Sequence, residues 1–232
     1  MALVQYGGGI LDARGSIGGQ VHSKNRSGNY IRARTAPVNP RSPRQSLVRA
    51  AVQYLAQYWS NTLTQAERDA WEVYADAITR TNKLGGQIKL TGFNHFVRSG
   101  VPRVQNVDAV IEPGPTTLTL PPADPIFACE VDETNQEISI TFDPLFAWNI
   151  IDGGFMYVYM SIPKATGTNF IGGPFRLAGA IDGATAVPPT SPQILSVPFP
   201  VAEGQALVCR ARISEVDGRL SDYFQHASSV IA

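Results

Sequence analysis

The chain has 232 residues, 44% of them hydrophobic and 16% charged, which is enough apolar content for a packed core and excludes wholesale disorder. The formal net charge is zero, yet residues 1–103 hold 14 Lys+Arg against 5 Asp+Glu, and residues 104–232 hold 5 against 14. Two cysteines exclude a disulfide scaffold and a zinc site built from cysteines, and no run nears the roughly 18 apolar residues of a membrane helix.

Residues 1–41 are glycine-rich, with Gly7-Gly8-Gly9, Gly15, Gly18-Gly19 and Gly28 before prolines 37 and 40. The start, Met-Ala-Leu-Val-Gln-Tyr, has no basic residue leading into an apolar run, so no signal peptide is expected, and use in a cytoplasm or in a particle assembled there is. Ile17 to Lys24 and Asn29 to Arg34 are expected to pair as a β-hairpin across the turn Asn25-Arg26-Ser27-Gly28. A two-stranded hairpin is marginal alone, so a partner orders this arm or it stays mobile. Between Asp12 and Glu67 there are eight bases and no acid. Such segregation points to docking on something negative, or to head-to-tail contact between copies.

Ser42-Pro43-Arg44-Gln45 reads as a helix start: a hydroxyl N-cap, proline at the first helical position, and Gln45 placed to complete a capping box. Leu47, Ala51, Leu55 and Trp59, with Val48 and Val52 alongside, form one apolar face at helical period. Thr64-Gln65-Ala66-Glu67 is a second capping box, with Leu63 as its staple residue, and Trp71, Tyr74 and Ile78 continue a second apolar face. So short a connection predicts an antiparallel helical hairpin, ended by Gly85-Gly86. Gln87 to Leu90 reads as a short strand and Thr91 to Arg98 as a short third helix, with Phe93 and Phe96 closing the hairpin's core. Six prolines between residues 99 and 125 read as an extended linker.

From about Ala123 the apolar period is two: Phe127, Cys129, Val131; Ile138, Ile140, Phe142; Phe155, Tyr157, Tyr159; Leu207, Cys209, Ala211, Ile213. Turn residues such as Asp152-Gly153-Gly154 and Asp217-Gly218 separate these runs, which argues for a β-sandwich of about 100 residues. The expected fold is therefore α+β in two parts. Residues 1–41 form a basic arm with a β-hairpin, 42–100 a helical hairpin plus a short third helix, 101–122 a proline-rich linker, and 123–232 an antiparallel β-sandwich.

Two resemblances rest on these motifs. Ile138-Ser-Ile-Thr-Phe142-Asp-Pro144, Phe155 to Tyr159 and Ala206 to Ser221 resemble a fibronectin type III domain, or an Ig-like cousin. Phe142 stands where that family usually has tryptophan, and Leu207 where it has tyrosine. Gly28 to Arg34, Pro37 to Gln45, Leu63 to Ala75 and Gly92 to Arg98 resemble a family of tailed-phage and prophage proteins taken to be virion-associated. This second resemblance implies a phage particle component assembled in the host cytoplasm.

The chemistry-bearing residues point to no reaction. His22, His95 and His226 stand isolated, and Gly7-Gly8-Gly9 and Gly15-Ser16-Ile17-Gly18 lack the lysine and hydroxyl of a phosphate loop. No nucleophile elbow is present. Cys129 and Cys209 fall on inward parities of strands expected in opposite sheets, as free thiols rather than a bridge. No catalytic residue, cofactor or metal is expected. The candidate partner contacts are Tyr30, Arg32, Arg34, Arg41, Arg44, Tyr58, Trp59 and Trp71. The expected function is that of a non-enzymatic virion structural protein in many copies, docking by arm and helices on capsid or tail subunits, with head decoration favoured. Alternatives are a tail or head–tail connector component, a nucleic-acid-binding packaging accessory, and a host- or carbohydrate-binding appendage hinted at by Trp148 and Phe170. No membrane partner is expected.

Overall fold

A computed structural model describes residues 2–26, 28–168 and 170–231. It is a mixed α+β chain with three helices and large β-sheets. The first sheet comprises β1 (Ala2–Val4), β2 (Gly15–Ile17), β3 (Gln20–Asn25) and β4 (Gly28–Ala33), in the antiparallel order β1-β4-β3-β2. The expected hairpin is its centre, with Val21 opposite Arg32 and Ser23 opposite Tyr30. Ser27 of the expected turn lies outside the described residues. β1 and β2 are additions whose short, glycine-flanked runs gave no periodic signal. No described residue before Ala51 is buried, so this sheet has no core of its own.

α1 (Pro43–Asn61) starts as expected, with Ser42 Oγ accepting from the Gln45 amide at 3.4 Å. The capping box there is only half formed, because the buried Gln45 side-chain oxygen has no partner among the described residues. At α2 (Gln65–Ala77) the box is complete: the Glu67 amide donates to Thr64 Oγ1, and the Thr64 amide donates to Glu67 Oε2 at 2.7 Å. The chain leaves α2 at Ala77 and runs directly into β5 (Thr79–Thr81), which pairs with β6 (Gln87–Lys89). Gly85 and Gly86 therefore turn this hairpin, where a helix stop was expected. Asn82 Oδ1 fixes the turn by accepting from the Leu84 and Gly86 amides.

α3 (Gly92–Gln105) runs past Arg98 and through Pro102, further than the short helix read from the sequence. It also overturns the expected helical hairpin, since α1 and α2 each pack on α3 and not chiefly on one another. Two bare positions permit this. A Cβ at Gly92 would sit 2.7 Å from the backbone of Trp71 and Glu72, and one at Gly100 would sit 2.7 Å from Leu55 Cδ2. The core so formed holds Leu55, Leu63, Trp71, Tyr74, Ile78 and Phe96, with Phe96 edge-on to Trp71 at 5.7 Å.

Residues 106–127 have no regular secondary structure, but they form a packed strap and not an extended linker. Pro115, Pro121 and Asp124 are buried, and the Glu112 carbonyl accepts from Trp71 Nε1 at 3.1 Å. The Glu112 carboxylate accepts from Tyr58 Oη, which pushes the phenol up to about 12. Tyr157 Oη donates to Asp108 at 3.2 Å and pins the strap's start to the strands that follow.

Those strands are β7 (Ala128–Asp132), β8 (Glu137–Thr141), β9 (Phe155–Ser161), β10 (Phe175–Asp182), β11 (Gln193–Ser196), β12 (Ala206–Ser214) and β13 (Phe224–Ile231). β11-β8-β7 and β10-β9-β12-β13 are antiparallel groups, joined where β13 pairs parallel with β7 at Val230–Val131 and Ile231–Asp132. The two groups share one core, which includes Val131, Ile138, Ile140, Phe142, Trp148, Met156, Met160 and Leu207. Cys129 and Cys209 are free thiols in that core. The facing Cys129 and then burial raise the Cys209 thiol, while the hydrogen bond from Cys209 and then His226 lower Cys129 against burial.

Candidate docking surface

The helices and the seven-stranded sheet are locked together by arginines of α3. Arg98 donates to the Leu220 carbonyl at 2.6 Å, the Ser221 carbonyl at 2.7 Å and Asp222 Oδ1 at 3.0 Å. Arg80 reaches the same Asp222 oxygen at 2.7 Å. Burial, then the facing Arg212 and Arg80, push Arg98 down to about 9, while Asp222 opposes them. Arg103 is buried, donates to the carbonyls of Gly153 (2.9 Å) and Glu215 (3.0 Å), and lies 4.9 Å from the Phe155 ring centroid. These bonds to main-chain carbonyls join into one platform two units that the sequence reading had connected by an extended proline-rich linker. Arg98 ends the Gly-Phe-Asn-His-Phe-Val-Arg run singled out in the sequence, but nothing local marks it as an anchor. Only its partners near residue 220 do.

The first fifty residues extend from that platform. Arg32, Arg34 and Arg41 are exposed, and no carboxylate pairs with any of them among the described residues. Tyr30 and Arg32 share one face of the first sheet, with Leu3 opposite Tyr30 and Val21 opposite Arg32. On the other side, Tyr6 Oη lies 3.0 Å from His22 Nδ1. A groove of about 450 Å³ separates this sheet from the β5–β6 turn, lined by Leu3, Tyr6, Leu11, Asn82 and Leu84 among others.

The exposed part of α1 continues this surface. Of the expected apolar face only Ala51 and Leu55 are buried, while Leu47 is 61% exposed and Val48 and Val52 are exposed as well. Beside the helix start lies a groove of about 510 Å³ between α1 and β10, lined by Ser42, Arg44, Gln45, Val48, Arg49, Pro174, Phe175 and Arg176. It holds three guanidiniums and no carboxylate. Partial desolvation and then the facing Arg176 lower Arg44, while Tyr159 opposes them.

The other candidates fall differently. Trp71 is buried in the helical core with its N–H bonded to Glu112, so it cannot contact a partner. Tyr58 and Trp59 are half-buried: Tyr58 is held by Glu112, and Trp59 is packed 5.7 Å from Phe93 and 5.4 Å from Phe96. Trp148, read as an exposed loop aromatic, is fully buried 5.2 Å from Phe142, whereas Phe170 is exposed. His95 is buried with both ring nitrogens unpartnered among the described residues, edge-on to Tyr74 at 5.2 Å. Among the described residues no group of three or more His, Cys, Asp or Glu is placed to hold a metal ion. No helix among the described residues is long and apolar enough to cross a membrane.

The chain matches no protein-family model and no curated protein sequence. The residues themselves carry the functional reading.

Proposed function

We propose that this is a non-enzymatic structural protein of a tailed-phage virion, docking on capsid or tail subunits through its basic arm and the exposed part of α1. One observation carries the docking part: fifty residues fold without burying a described side chain, while presenting arginines that no carboxylate of the described chain neutralises. A chain gains little stability from such a segment by itself. Contact with another subunit would bury it and supply the missing negative charge. The phage assignment rests on the resemblance of Gly28 to Arg34, Pro37 to Gln45, Leu63 to Ala75 and Gly92 to Arg98. Head decoration is favoured over a tail or connector place.

The C-terminal strands are proposed to be a fibronectin type III sandwich. What supports this is the split into β11-β8-β7 and β10-β9-β12-β13 around one core. Phe142, which stands where that family usually has tryptophan, packs in this core 5.2 Å from Trp148.

The test is incorporation. Arg32→Glu with Arg34→Glu, both exposed, should leave folding intact and reduce the copies of this chain in purified particles several-fold. Unchanged incorporation would refute docking by the arm. A DNA mobility shift, lost in the same variant and steeply weakened by salt, would favour the packaging alternative instead.

A further inference from the structure

We infer that copies of this chain associate head to tail, with the α1–β10 groove of one copy receiving the outer face of β7 and β8 of the next. This deepens the assembly reading and rests on it only in taking the chain to function in many copies. The donor face is defined by register. Val131, Ile138 and Ile140 point into the core, so Glu130, Asp132 and Glu137 point outward, with Glu130 opposite Ser139 and Asp132 opposite Glu137. Ile194 pairs with Ser139 and Ile231 with Asp132, so both join the same outer face, where they are 61% and 52% exposed. The face is hollowed by a groove of about 280 Å³.

No Lys or Arg occurs between Arg103 and Lys164, so this acidic face is as free of counter-charge in the sequence as the basic groove is. Among the described residues, none of these three carboxylates forms an ion pair. The receiving groove offers Arg44, Arg49 and Arg176 around Val48 and Phe175. Each surface thus carries apolar side chains within like charges, and the two signs are opposite. The surfaces are also different, so the contact is heterologous and repeats into rings or open chains instead of closing as a two-fold dimer. Both sit on a platform held rigid by Arg98 and Arg103, so a copy presents the two at a fixed separation.

Sedimentation velocity of the purified protein, across concentration and salt, tests this. Association should appear at low ionic strength and weaken as salt shortens the screening length to about 10 Å near 0.1 M. Arg44→Glu with Arg49→Glu should reduce it at least tenfold, as should Glu130→Lys with Glu137→Lys. Thermal melting should confirm that both variants are folded. Mixed together, the two variants should associate again and grow, because each unchanged surface meets its intact counterpart and each reversed surface meets the other variant's reversed one. All four changes in one chain should restore association. A protein monomeric under every condition overturns the inference, as does association indifferent to either pair of changes or absent from the mixture. Particle incorporation by a strictly monomeric protein would leave the virion reading standing while removing this one.

Discussion

Replacing Arg103 with alanine tests whether helices and sheet form one body. The side chain is 3% exposed and donates to two main-chain carbonyls, Gly153 at 2.9 Å and Glu215 at 3.0 Å. Hydrogen bonds from a charged group contribute about 1.5–3 kcal/mol each. The guanidinium over Phe155 adds about 0.5–1 kcal/mol. Against these stands the cost of holding the cation out of water, which the alanine variant no longer bears. The balance is a loss of about 3 kcal/mol, part of it from two carbonyls left unpaired. Both carbonyls are held by one guanidinium nitrogen, so Arg103→Lys, which keeps one charged nitrogen but loses the planar group over Phe155, should lose only about 1–2 kcal/mol. Urea unfolding is well suited to the measurement, because Trp59 and Trp71 report on the helices and Trp148 on the sheet. With a slope of about 3 kcal/mol per molar urea, the alanine variant's midpoint should fall by about 1 M. A shift under about 0.3 M would refute the anchoring role. So would a wild-type protein whose helical and strand signals melt in separate steps.

Three further outcomes follow from the same packing. Burial, then Arg98 and Arg80, hold His95 down to about 4, with Asp222 opposing, against about 6.5 when unfolded. Below pH 6.5 the unfolded chain therefore binds the extra proton, and stability falls by up to about 3 kcal/mol as pH drops from 6.5 to 4. His95→Leu should flatten that slope in melts across the window, and an unchanged slope would place its origin elsewhere. Gly114→Ala puts a Cβ 2.6 Å from the backbone of Ala70 and Trp71, so it should cost about 1–3 kcal/mol and lower the melting temperature by about 2–4 °C per kcal/mol. Thr64→Ala removes one side of a complete capping box and should cost about 1 kcal/mol in the same calorimetry.

Local chemistry was legible in the sequence wherever the structure is decided locally. Ser42-Pro43 and Thr64 to Glu67 mark helix starts because caps act within one turn, and β7 and β8 show their alternation because one side of each faces the core. β9 is buried on both sides: Met156, Val158 and Met160 face that core, while the Phe155 and Tyr157 read from the sequence join a second cluster with Leu220. What escaped depends on distant partners. Pro102 lacks an amide and reads as a breaker, yet α3 continues through it because it packs on α1 and α2 while Arg98 and Arg103 tie it to the loops around Ser221, Gly153 and Glu215. The α1–α2 hairpin was inferred from connection length, but Gly92 and Gly100 give α3 closer seats on both helices. Trp71 and Trp148 carry no mark separating an interface aromatic from a buried one. Of the site, the unpaired arginines of the arm were visible as a run without acids. The α1–β10 groove was not, since Arg176 lies far along the chain from Arg44.

The central claim, a virion component docked by its arm, is tested most directly by cross-linking mass spectrometry with copy counting on purified particles. The account predicts this chain in many copies per particle, with residues 14–49 cross-linked to neighbouring subunits. Its absence from purified particles, or cross-links from that segment only within its own chain, would contradict it.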